Sequence, residues 1–130
     1  MSRRDTMIYA LLGLGVWLNG AITFRLGGRI LFENGPLVAA AATVGIAIAV
    51  CLVFRGTMAW RKATRADALG VAVTMALPGL LGEAARQLAF TWATGLKPQT
   101  QPVFAAAIFF GNSALLTYAL WRARGAKPIP

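Results

Sequence analysis

The chain has 130 residues, 58% hydrophobic and 13% charged, about half the charged share of a soluble domain. A soluble domain this small has too much surface per unit volume to be covered by so few polar side chains, so lipid is the solvent that the composition fits. The charge is lopsided, with 13 Lys/Arg against 4 Asp/Glu and a net +9, but the basic residues punctuate apolar runs instead of patterning a polar face, which argues against nucleic acid as a partner.

The first charge-free run, Thr6–Phe24, predicts a helix over 7–28, close to the roughly 20 residues that cross about 30 Å of hydrocarbon. It carries Gly13 and Gly20, which admit a close helix neighbour. Asn19 falls about 18 Å along it at 1.5 Å per residue, near the midplane. Arg25 and Arg29 stand near its end. The flank S-R-R-D-T-M-I is similar to a twin-arginine export signal, with Leu18–Ala21 as a loose cleavage region. Thr6 stands where such a signal has a bulky apolar residue, and the apolar run is long for a signal core. An uncleaved span is the expectation.

The second run, Asn34–Phe54, predicts a helix over 36–54. Pro36 opens it, where a missing N–H is no loss. Ala41, Gly45 and Ala49 recur at four-residue spacing, and Cys51, the only cysteine, reads as a buried, inert thiol. The loop F-R-G-T-M-A-W-R-K-A-T-R-A-D follows. Its Arg61, Lys62 and Arg65 are candidates for anionic lipid head groups, each contributing about 1 kcal/mol.

The third run, Ala68–Gly82, holds 15 residues and is too short alone, so the helix is expected to continue through Glu83 and Arg86 to 92. Pro78 inside it should kink the helix or free a carbonyl. Glu83 lies about 22 Å along, in the outer third of a bilayer. Residues three apart share a face, and that face continues back through Gly79, Ala76 and Ala72, a row that suits close helix approach. The charged face should therefore turn toward the bundle. A charge at a helix centre costs roughly 2.5–3.5 kcal/mol, less when paired, so two retained charges imply a role. In the structural version Glu83 and Arg86 pair and also engage Arg25 or Arg29. In the functional version Glu83 is a protonatable or cation-binding residue facing a cavity.

The fourth run, Pro98–Trp121, predicts a helix over 102–121 with Pro102 at its start and Ala107 and Gly111 as small residues. Asn112 lies about 15 Å in from the opposite side, so Asn19 and Asn112 both approach the midplane. Glue between helices, worth about 0.6 kcal/mol, is the first reading of these two, and a polar substrate site the second. P-L-V-A-A-A-A-T-V-G and P-V-F-A-A-A-I-F-F-G share Pro, Ala at the same three places and a later Gly. A duplicated hairpin and a chance match of Ala-rich helices both account for the echo.

Together these elements predict an all-α, polytopic membrane protein, a bundle of four transmembrane helices in one domain over 1–130. Strands are not expected, because the runs are continuously apolar where barrel strands alternate. Arg3, Arg4, Arg55, Arg61, Lys62, Arg65, Arg122, Arg124 and Lys127 fall on one side, and Arg25, Arg29 and Lys97 on the other. Positive residues stay inside, so both termini should be cytoplasmic. Trp60, Trp92 and Trp121 fall near span ends, as interfacial anchors do. With no His, one Cys, and only Ser2 and Ser113 as serines, the chain offers no metal cluster, no disulfide and no activated nucleophile, so neither a cofactor nor an enzyme is expected.

The Gly-rich first helix ending F-R-L-G-G-R and the L-P-G-L-L of the third resemble the small four-span bacterial membrane proteins grouped as a domain of unknown function. That resemblance implies a bacterial inner-membrane protein and carries no activity with it. Small multidrug transporters are similar in size and span count, but their essential acid lies in the first helix, where this chain has Asn19 and no carboxylate. The expected function is a small integral membrane protein acting through helix packing or partner binding. Its partners would be the lipid bilayer and a second copy or another membrane protein. The alternative is a small-solute or ion transporter with Glu83 as the coupling residue.

Overall fold

A computed structural model of the chain describes residues 1–125. Four helices follow in order: α1 (Arg3–Phe32), α2 (Pro36–Trp60), α3 (Ala68–Ala89) and α4 (Gln101–Arg124), with 3₁₀ turns at Arg65–Asp67, Thr91–Thr94 and Pro98–Thr100. No strand occurs among the described residues. All four helices are long and apolar enough to cross a membrane. Their outward side chains suit lipid: Leu26 and Leu37 are each 83% exposed, in company with Leu11, Ile22 and Leu81, a continuous apolar surface that water would penalise. This is the architecture of a multi-pass membrane protein.

The helix ends depart from the sequence-based ranges for identifiable reasons. α1 starts at Arg3 instead of 7 because Ser2 caps it. The Asp5 N–H donates to Ser2 Oγ at 3.1 Å, while the Asp5 carboxylate accepts the Ser2 N–H at 3.3 Å, a reciprocal capping box. At their far ends α1 and α2 run on past Arg25, Arg29 and Arg55, since an arginine costs a helix nothing in backbone terms. α3 instead stops short of 92. The Phe90 N–H closes on the Arg86 carbonyl at 2.8 Å, and the chain leaves through a 3₁₀ turn that ends at Gly95, φ 70°. Pro78 leaves α3 a single helix.

The packing order is α1–α3–α4–α2. Consecutive α1 and α2 touch little, while α1 lies along α3 and α2 along α4. At Gly13, α1 meets the α3 backbone itself: a Cβ there would overlap the Met75 main chain. Small residues thus set the α1–α3 distance. The two glycines of the Pro–Ala–Gly echo behave differently, Gly111 lying against Ile46 while Gly45 looks into open space.

The start of α1 and the end of α2 share one end of the bundle, which the Asp5–Arg61 ion pair at 2.7 Å marks. There the core is Tyr9, Phe54, Met58, Val71, Met75 and Leu115 with alanines between them. At the other end Phe24, Phe32 and Phe104 meet edge to face with ring centroids 5.3–5.8 Å apart, beside Ala39, Leu96 and Ala107. Trp60, Trp92 and Trp121 are exposed at helix ends or in the connection after α3. Lys127, counted above among the basic residues, lies outside the described residues.

Candidate functional site: a buried ion pair beside a central cavity

Glu83 is fully buried. Three donors converge on its carboxylate. Arg86 Nη2 and Trp17 Nε1 donate to Oε2, the latter at 3.4 Å, and Gln87 Nε2 donates to Oε1 at 3.0 Å. Arg86 and Gln87 stand three and four residues along α3 from Glu83, so helix geometry alone brings them to it. Trp17 arrives from α1 across a trough cut by Gly79 and Gly82. A Cβ at Gly82 would sit 2.8 Å from the indole ring. The small-residue row on α3 thus seats a tryptophan as well as admitting a helix backbone.

Arg86 is buried between aromatic rings. Its Cζ lies 4.8 Å from the Phe104 ring centroid and 5.9 Å from that of Trp17, so ring quadrupoles assist the carboxylate in stabilising the cation. Its Nε is buried without an acceptor. Arg86 also forms part of the wall of a cavity of about 310 Å³ at the middle of the bundle, where α1 and α2 part. Trp17, Asn19 and Thr23 of α1, Val50 of α2 and Asn112 of α4 are among its other polar and apolar lining residues.

Other sequence candidates fall elsewhere. Arg25 and Arg29 do not join Glu83. Arg29 Nε donates to the Gly95 carbonyl at 2.9 Å, and the Arg25 guanidinium lies against the Gly95 Cα. The early end of α3 lays residues 91–97 over α1, so both arginines meet that loop first. Glu33 adds a clasp there, accepting the Lys97 N–H at 2.8 Å. Only glycine suits position 95, with its positive φ and an arginine packed on it. Asn19 and Asn112 do not bond to each other either. Asn19 accepts from Thr23 Oγ1 at 3.1 Å and Asn112 donates to the Ile108 carbonyl at 3.0 Å, each within its own helix. They face the same cavity from different walls.

Of the head-group candidates, Arg61 is tied to Asp5 at 2.7 Å and stacks over Trp60 at 5.4 Å. Arg65 packs against the end of α4 at Gly125. Lys62 is exposed at a positive φ of 53°. Cys51 is half-buried on α2. Among the described residues no group of three or more His, Cys, Asp or Glu side chains gathers to hold a metal ion.

The sequence reading missed Trp17, Phe104 and Asp5 because each meets its partner from a distant part of the chain. Gln87 was open to inference, lying one helical turn from Glu83.

No curated protein and no solved structure matches the chain. A family model covers residues 30–125, which takes in Glu83, Arg86, Gln87, Phe104 and Asn112. L-P-G-L-L lies inside that range, whereas F-R-L-G-G-R, Trp17 and Arg25 lie before it. The chain belongs to a family of unknown function, DUF5367.

Proposed function

We propose that this is a non-enzymatic protein of the bacterial inner membrane that works through helix packing and the binding of a membrane partner, with both termini in the cytoplasm. The observation that carries this reading is the enclosure of Glu83. A side chain with three donors and no exposed surface, two donors from its own helix and Trp17 from α1, is built to hold α1 against α3. A proton-coupling acid must meet the solute path; Glu83 is covered, and its neighbour Arg86 forms the cavity wall instead. Orientation rests on the basic residues around the shared end of α1, α2 and α4. The outward faces of Ala41 and Gly45 on α2 support a helix partner, a second copy included.

Glu83→Gln tests the central claim. The variant should insert normally and melt at a lower temperature in detergent, while wild-type protein in dye-loaded vesicles stays tight to protons. An unchanged melt together with a proton flux that needs Glu83 would establish the transporter reading instead. Reporter fusions after residue 125 test the orientation, and a subunit count by mass photometry tests the partner.

A further inference from the structure

We infer that the central cavity is a binding site for a neutral lipophile carrying one acceptor oxygen, a ketone, ester, amide or alcohol, which hydrogen-bonds to the free edge of the Arg86 guanidinium. Guanidinium is a fork of five N–H donors. Among the described residues its only hydrogen bond runs from Nη2 to Glu83, and Nε is buried with no acceptor. A buried donor without an acceptor loses its hydration and gains nothing in return. Arg86 is only 6% exposed and forms part of the cavity wall. Nε is sealed off, so a ligand oxygen in that cavity would meet the Nη edge of the fork, where Nη1 has no acceptor among the described residues.

Size and polarity narrow the occupant. About 310 Å³ lies at the lower end of small-molecule sites. Most of the wall is aliphatic or aromatic, including Val16, Phe24, Ile46 and Val50. Asn19 spends its carbonyl on Thr23 and Asn112 spends its amide N–H on Ile108. Each keeps the other half of its amide for a second polar contact. α1 and α2 touch little and both line the cavity, so the entry that the proposal assigns runs between them from the lipid side.

Charge selects against an anion. Glu83 already neutralises Arg86, so a carboxylate beside the same guanidinium would put two anions and one cation in a medium of low dielectric. Arg25 and Arg29 are turned to the Gly95 loop and offer no compensation. This selectivity rests on Glu83 being the structural partner of Arg86 proposed above. Failure of that reading would show in the Glu83→Gln melt, and failure of the site would show in the competition below.

Benzophenone is a suitable probe, being a neutral diaryl ketone that photo-crosslinks where it binds. With the purified full chain in detergent, crosslinks should map to cavity-facing residues of all four helices, Met75 of α3 included. 2-Decanone should displace it at least tenfold more effectively than decane or decanoate. Arg86→Lys keeps a cation for Glu83 and removes the fork, and it should weaken labelling several-fold. Gly20→Leu fills cavity space, a Cβ at Gly20 meeting only the Phe24 ring at 3.8 Å, and should abolish labelling without lowering the melting temperature. Equal competition by decane would mean mere hydrocarbon space, and preference for decanoate would mean an anion site. Labelling spread over lipid-facing residues, or unaffected by Gly20→Leu, would likewise overturn the assignment.

Discussion

The two ends of the bundle each hold an acid–arginine pair, and the pairs differ in almost everything but chemistry. Asp5–Arg61 joins the start of α1 to the end of α2 with both side chains about a third exposed, at 33% and 27%. Glu83–Arg86 lies within α3, with side-chain exposures of 0% and 7%. Solvent and salt screen the first, so it adds little to stability. The second has no water to fall back on, so removing one member leaves a buried charge unmatched. An ion pair's importance here comes from what surrounds it.

The largest expected effect follows from that contrast. Glu83→Leu strands the Arg86 cation between Phe104 and Trp17 and should cost about 3–5 kcal/mol in reversible unfolding. Replacing both members, Glu83→Leu with Arg86→Leu, should recover most of the loss, because the pair also carries its own desolvation penalty. A double variant as unstable as Glu83→Leu would show that the pair does more than cancel itself.

Next comes Gly13→Val, which tests the helix contact that brings Trp17 to the pair. Its side chain would meet the Met75 backbone, and overpacking of this kind costs about 1–3 kcal/mol. Gly45→Ala is the control, with open space around it and a helix-propensity gain of up to about 1 kcal/mol. Trp17→Phe should cost less, about 1 kcal/mol, since the ring stays and one donor to Glu83 is lost. If the Trp17→Phe melt matches wild type, Gln87 and Arg86 suffice to hold the carboxylate.

The sequence exposed the local half of this design. Run lengths predicted four helices because an apolar stretch of span length has few alternatives. The Glu83–Arg86 pairing and the small-residue face were visible because helix period is a property of neighbours along the chain. Everything that crossed between helices was hidden. The order α1–α3–α4–α2 cannot be read from hydropathy, and with it went Trp17 at Glu83 and Phe104 on Arg86. The early stop of α3 at Ala89 was missed because T-W-A-T-G carries no apolar signal separating a last helical turn from a 3₁₀ turn. That three-residue difference diverted Arg25 and Arg29 from the pair to Gly95.

The smallest effect belongs to the exposed pair. Arg61→Gln removes the partner of Asp5 but leaves the Ser2–Asp5 capping box intact, since Ser2 Oγ and Asp5 Oδ2 stand 2.7 Å apart independently of Arg61. Helix α1 should therefore keep its first turn, and the melting temperature should fall only slightly at low ionic strength. Raising the salt should erase the difference from wild type, because screening has already weakened the interaction that the substitution deletes. The same titration should leave the deficit of Glu83→Leu in place, since mobile ions do not reach a buried guanidinium. A deficit in Arg61→Gln that persists at high salt would instead assign Arg61 a packing role, through its stacking over Trp60, and would make the two ends more alike than their exposures imply.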